Sequence, residues 1–301
     1  MVSQYRHHQI WIDARTAGAP GCETRPMAKK KKKSASSARS LHRHKLYEYS
    51  VQCPEAEVDF LQNTFKQFRK RNARILREDF CGTAAVCAEW VKRHSRNRAI
   101  GVDLDEEVLD WGKKNHLASL TDSQHKRVTL HNRNVLTVST GKVDAIAAMN
   151  FSYWLFKERK NLKRYFKRAY RALVDDGILF LDAYGGYEAF QEVIEEREID
   201  DDGYRFTYIW EQERYNPVDN GLLCSIHFEF PDGTRMERAF HYDWRLWTLP
   251  EIRDLLEECG FRRITTWWQG YDEDGESDGD FEIVTTADAD AGWICYLVAE
   301  K

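Results

Sequence analysis

Residues 74–111 read RILREDFCGTAAVCAEWVKRHSRNRAIGVDLDEEVLDW, and their order decides the fold. Ile75 and Leu76 open an apolar run that Glu78 and Asp79 close with carboxylates. Cys81-Gly82-Thr83 then makes a tight turn, and Ala84 to Val91 places small and apolar residues at helical spacing. A second strand, Ala99-Ile100-Gly101-Val102, ends on Asp103. Strand, glycine turn, helix and acid-ended strand outline a nucleotide-shaped pocket, because ligands of open α/β sheets sit outside the carboxyl ends of the strands. Asp103 follows Gly82 by 21 positions, the interval at which an acid reaches ribose hydroxyls.

Outward from this stretch the alternation continues. Pro54 followed by Val58, Phe60, Leu61, Phe65 and Phe68 predicts a helix before the first strand. Downstream, a helix at 105–117, strands at 128–131 and 143–149, a basic helix at 155–173 and the strand Gly177–Asp182 complete the pattern of a parallel sheet covered on both faces. After Asp182 the pattern changes to a helix at 186–196 and three strand-like stretches, Tyr204–Glu213, Gly221–Phe230 and Arg235–Trp244, an antiparallel insertion over 203–245. Thr248 caps a helix at 249–259 with Pro250 inside its start and Gly260 past its end. Two last strands, 262–268 and 292–299, flank an acidic loop from Asp272 to Asp280.

Composition narrows the class. With 42% hydrophobic and 31% charged residues the chain can bury a large core, and no run is long and apolar enough to span a bilayer. The seven cysteines form no CxxC pair, so the sequence supports neither a disulfide framework nor a metal site, and a reducing cytosol is the simplest compartment. No apolar h-region follows the first charges, which argues against a secretory signal. Residues 1–46 hold eleven Lys/Arg against two Asp/Glu, centred on Lys29–Lys33, and are expected to be a disordered solubilising tail, the alternative being an arm for nucleic acid or lipid. Met27 reads as a natural start, an expectation that native peptides from before Met27 would overturn.

From about Arg74 to Lys301 the chain resembles class I S-adenosylmethionine-dependent methyltransferases. The resemblance rests on Glu78 before Cys81-Gly82-Thr83, the strand-end Asp103, Asn134-Val135 after the third strand, Met149-Asn150-Phe151-Ser152-Tyr153 after the fourth, and the closing helix and strand pair. It implies a Rossmann-like, seven-stranded sheet in which strand seven runs antiparallel between five and six. One departure stands out: where the family repeats glycine around this turn, this chain has Phe80 and Ala84, and only Gly82 remains. The lack of a full GxGxxG argues against a dinucleotide, whose pyrophosphate needs closer backbone approach.

The resemblance also implies site roles. Glu78, Cys81, Gly82 and Thr83 would face the methionyl end of S-adenosylmethionine, Asp103 with Leu104 the ribose, Asn134 and Val135 the adenine, and Asn150 and Phe151 the methyl sulfonium. Methyl transfer from a sulfonium depends on alignment more than on an acid/base pair. Should the acceptor need a base, Tyr153, Tyr184 and His241 beside Tyr242 and Asp243 are candidates, with Tyr153 equally suited to packing and His241 to a solvated sheet face. Tyr47 and Tyr49 suit either a cofactor cover or a helix staple. The aromatic insertion over 203–245 is the expected acceptor lid and favours an enclosed small molecule. An RNA methyltransferase, suggested by the basic helix Lys157–Arg171, and a non-catalytic S-adenosylmethionine-binding module are the alternatives.

Overall fold

The structure, a computed structural model, describes residues 41–271 and 277–301. Helices α1 (Arg43–Val51) and α2 (Pro54–Arg69) lead into β1 (Ile75–Asp79), α3 (Ala85–Arg93), β2 (Arg98–Asp103), α4 (Glu106–Asn115), α5 (Asp122–His125), β3 (Val128–Asn132), β4 (Val143–Ala148), α6 (Arg159–Ala172) and β5 (Leu173–Gly185). Four strands follow, β6 (Val193–Asp201), β7 (Tyr204–Asn216), β8 (Gly221–Glu229) and β9 (Arg235–Arg245), then α7 (Leu249–Glu258), β10 (Arg263–Tyr271), β11 (Ser277–Val284) and β12 (Trp293–Glu300). The larger sheet has the order β11-β10-β12-β5-β4-β1-β2-β3, and the smaller the order β6-β7-β8-β9. The last strand thus inserts between β5 and β10, the strand order the resemblance implies, with β11 as an eighth strand at the edge.

The chain divides into two compact units. One comprises Pro54–Ala183, Trp247–Trp267 and Cys295–Lys301. Its central strands pair in parallel, β1 with β2 and β4, β2 with β3, and β4 with β5. They are buried on both faces, so β4 (Ala145, Ile146, Ala147, Ala148) and β5 (Ile178, Leu179, Phe180, Leu181) read as unbroken apolar runs. Pairing Glu78 with Gly101 and with Ala147, and Ala148 with Leu181, aligns the carboxyl ends of β1, β2, β4 and β5. Gly112 on α4 lets that helix lie directly on the turn after β1, since a Cβ there would sit 2.1 Å from the Thr83 carbonyl oxygen. Thr248 caps α7 as expected, with proline in its first turn, and the structure adds Glu251, which completes a capping box.

The other unit holds the described residues up to Cys53, with Tyr184–Leu246 and the described part of Trp268–Ile294. Here β6 to β9 form an antiparallel meander. Its even-numbered positions carry Phe206, Tyr208, Trp210, Phe228, Tyr242 and Trp244, with Tyr242 stacked on Trp244 at 4.4 Å. Odd positions carry Glu211, Glu213, Ser225, His227 and His241.

Four expectations need correction. Residues 186–196 are not a helix: a single 3-10 turn, Tyr187–Phe190, leads into β6, along which more and less exposed residues alternate with period two. The insertion therefore begins at Val193 and has four strands rather than three. The loop expected over Asp272–Asp280 is strand from Ser277 onward, residues 272–276 lying outside the described part. Of the expected tail, residues 1–40 lie outside the described residues, but α1 already starts at Arg43.

Candidate active site

The turn after β1 keeps left-handed backbone at three positions, only one of which is a glycine. Phe80, Gly82 and Ala84 have φ of 59°, 50° and 58°, the left-handed region that costs an L-residue roughly 1–2 kcal/mol. Phe80 is held there by packing, its ring 5.6 Å from Tyr165 and 6.0 Å from Phe156, and Ala84 is fully buried. Gly82 differs: a Cβ on it would meet nothing within 4 Å, so the residue borders open space. Its N–H donates to Asp103 Oδ2 at 2.8 Å, which ties the turn to the end of β2.

Asp103 is set up as an acceptor. Its other oxygen takes the Asp105 N–H at 2.9 Å, and a carboxyl group with two bonds accepted still has lone pairs for a diol. Asn132 steadies the same loop by donating to the Leu104 carbonyl at 2.9 Å, while the Leu104 side chain is exposed. Asn134 accepts the Leu136 N–H on its carboxamide oxygen at 2.8 Å, and Val135 beside it is buried. Cys81 and Thr83 are buried within the turn. Glu78 accepts the Cys87 N–H of α3 at 3.0 Å. Burial pushes its carboxyl up to about 7, aided by the charges of Asp103 and Asp79 and opposed by that hydrogen bond.

After β4 the backbone is strained again. Asn150 and Phe151, both non-glycine, have φ of 57° and 53°. Two consecutive left-handed residues persist only where the surroundings fix them. Here the buried Asp182 carboxylate accepts both amides, Asn150 N–H at 2.5 Å and Phe151 N–H at 2.9 Å. Burial pushes Asp182 up to about 7, with the two amides pulling the other way. Tyr153 completes the arrangement by donating its hydroxyl to the Asp182 backbone carbonyl at 2.7 Å.

That bond corrects the expectation of Tyr153 as a base. Its proton is committed to a carbonyl, its ring is fully buried, and burial raises its pKa far above the ordinary phenol value. The bond ties Tyr153 to the residue whose carboxyl holds the strained turn. His241 lies on β9 of the other unit, where its Nδ1 is 3.0 Å from Ser225 Oγ and 3.6 Å from Glu213 Oε1. Serine and acid share one ring nitrogen, so the group is not a nucleophile relay, which needs both. Tyr184 bonds Gln212 at 3.2 Å. Tyr47 packs on Phe240 and Tyr49 on Tyr204, so both tyrosines serve the antiparallel sheet.

Sequence reasoning missed three participants: Asn132, Asp182 and Glu57. Asp182 could have been found as an acid ending an apolar strand, as Asp103 was. Glu57 could have been found as a charge in the apolar stripe of α2, three residues before Phe60; it is 5% exposed, and its Oε1 has no hydrogen-bond partner among the described residues.

Together these groups fit S-adenosylmethionine: spare acceptor capacity on Asp103 for a ribose, open space at Gly82, and buried carboxyls, one with an orphaned oxygen, for a cationic amino-acid end. Residues 81–179 match the family described as a methyltransferase domain. No curated protein matches the chain. Among solved structures it is similar to an S-adenosylmethionine-bound amino pentose methyltransferase from Micromonospora echinaspora (12% identity, 91% of this chain and 99% of that one covered, TM-score 0.62). It is similar also to an S-adenosylmethionine-dependent methyltransferase from Clostridium acetobutylicum (16%, 84% and 96%, 0.61). A third is a sugar N-methyltransferase from Streptoalloteichus (15%, 92% and 96%, 0.58). The chain carries a methyltransferase domain on the class I S-adenosylmethionine-dependent methyltransferase fold.

Proposed function

We propose that the protein binds S-adenosylmethionine at the carboxyl ends of β1, β2, β4 and β5 and passes its methyl group to a nitrogen or oxygen of a small-molecule acceptor. The observation that carries this reading is the convergence, at one end of one sheet, of the Asp103–Gly82 clasp, Glu78, and the Asn150–Phe151 turn held by Asp182. Asp103 and Asn132 set the ribose position, Asn134 and Val135 the adenine edge, and Glu78 the methionyl end. The bound cofactor supplies a methyl group on sulfur that an acceptor lone pair displaces in line. The chain contributes alignment and exclusion of water, worth several kcal/mol when the reacting atoms are held near contact. The strained Asn150–Phe151 turn is a rigid edge suited to that task.

The small-molecule reading draws support from neighbours named as sugar or amino pentose methyltransferases. Basic residues on α6 are partly committed within the fold: Arg159 and Lys163 pair with Glu258, and Arg168 donates to the Val138 carbonyl at 2.8 Å. That leaves fewer cations for an RNA backbone. Cys81, Cys87, Cys224, Cys259 and Cys295 are free, buried thiols, whereas Cys53 is disulfide-bonded, contrary to the expectation from cysteine spacing, so the cysteines do not argue for a reducing cytosol. Among the described residues no helix is long and apolar enough to cross a membrane.

The test is incubation of the purified protein with methyl-labelled S-adenosylmethionine, separately with amino sugars and small amines, with a metabolite extract and with tRNA. Label appearing in a small metabolite, matched by S-adenosylhomocysteine release, is expected. Label only in tRNA, or none at all, would overturn the reading.

A further inference from the structure

We infer that Glu57 is a cation-receiving carboxylate of the cofactor site, placed to take the α-ammonium of the methionyl end together with Glu78 and Asp182. This rests on the cofactor reading above and adds to it a residue from the helix that precedes the sheet.

The placement follows from how α2 lies along β5. At its last turn, Arg69 donates to the Asp176 carbonyl at 2.6 Å, near the start of β5. Further back along the helix, the Phe60 ring lies 6.1 Å from Phe180 and 4.3 Å from Tyr296. Helix and strand thus run in opposite directions. One turn before Phe60 on the helix is Glu57, and two residues beyond Phe180 on the strand is Asp182; both steps lead about 5–7 Å toward the carboxyl ends of the strands. Glu57 therefore arrives where Glu78 and Asp182 already stand, and both carboxyls act on it electrostatically.

Nothing in the fold accounts for a carboxyl there. Glu57 Oε1 is buried without a donor, and no ion pair among the described residues includes Glu57. A first-turn glutamate can serve its own helix by accepting a free amide, but this oxygen accepts none. Burying an unpaired carboxylate beside two others is unfavourable, so the group either holds a proton or is joined by a cation. Among the described residues no group of three His, Cys, Asp or Glu side chains is arranged to hold a metal ion. The cation that matches is an organic ammonium, whose three donors can be shared among several carboxylates. The proposed cofactor carries one at the end that lies toward Glu78.

The experiment is calorimetric titration, at pH 8, of S-adenosylhomocysteine and of 5′-methylthioadenosine into wild type and Glu57→Gln. The second ligand keeps the adenosine and thioether and lacks the amino acid. Expected are binding of both ligands by wild type, a roughly tenfold to hundredfold loss of S-adenosylhomocysteine affinity in Glu57→Gln, and 5′-methylthioadenosine affinity within about twofold of wild type. Retained binding of the truncated ligand also shows that the variant is folded. Unchanged S-adenosylhomocysteine affinity in Glu57→Gln overturns the inference while leaving the cofactor site intact, and so does an equal loss for both ligands. Failure of wild type to bind either ligand overturns the cofactor reading itself and this inference with it.

Discussion

Ala84→Gly should be close to neutral for stability, whereas Ala88→Gly, four residues on in the same sequence, should be clearly destabilising. Both alanines are buried, at 0% and 2% exposure, so each loses about 0.8 kcal/mol with its methyl group. Ala88 sits inside α3, where glycine costs about 1 kcal/mol more, for a total near 2 kcal/mol. Ala84 sits at φ 58°, ψ 31°, ahead of the helix. Glycine there releases about 1–2 kcal/mol of left-handed strain, against the methyl loss and about 0.5–1 kcal/mol of added freedom in the unfolded chain. The sum is near zero. The two variants should therefore differ by about 2 kcal/mol, or roughly 4–8 °C in Tm at 2–4 °C per kcal/mol for a chain of this size. Thermal melts of wild type and both variants in the ligand-free state decide it. If Ala84→Gly falls as far as Ala88→Gly, the strain assigned to this turn is not there.

The remaining predictions concern the buried acids and Tyr153. Glu78 and Asp182 are both raised to about 7 in the fold, so the native state binds more protons than the unfolded chain between their unfolded values near 4 and about 7. Their stabilising contribution is fully present below pH 4 and is lost as pH rises through 7. The ligand-free Tm should thus fall between pH 5 and pH 8, by less in Asp182→Asn, and a Tm that rises over that interval in wild type would contradict the assignment. Over the same interval S-adenosylhomocysteine should bind more tightly as the carboxyls ionise, measured by calorimetry at each pH. Tyr153→Phe should cost about 1–3 kcal/mol of stability by stranding the Asp182 carbonyl, yet leave the shape of the pH–rate profile for methyl transfer unaltered; loss of a basic limb would restore Tyr153 as a base.

Most of the parallel sheet was legible because its central strands are largely buried and read as short apolar runs, those of β1, β2 and β5 leading to the acids Asp79, Asp103 and Asp182. Thr248, Pro250 and Gly260 fixed α7 in the same way, through local backbone chemistry. Elements whose identity depends on neighbours were not legible. The stretch VIEEREIDD of β6 is rich in helix-favouring glutamate, and only pairing with β7 selects its period-two alternation. Its charges suit an edge strand, where they discourage pairing with another chain. Part of the candidate site was hidden for a similar reason. Asp103 follows Gly82 at a readable interval, but Glu57 joins Glu78 and Asp182 only once α2 lies along β5, 125 residues away in sequence from 57 to 182. The turn shows the opposite case: Phe80 and Ala84 look like departures in the sequence, yet the backbone holds the conformation for which glycine is ordinarily used.

The most direct test of the central claim is titration of S-adenosylhomocysteine into wild type and Asp103→Ala. Asp103 is the carboxylate that both clasps the Gly82 turn, at 2.8 Å, and presents acceptors for the ribose. Measurable binding by wild type and affinity weakened by about 1–3 kcal/mol in the variant, roughly fivefold to 150-fold, are predicted. Equal affinity in the two proteins, or no binding by wild type, would contradict the account.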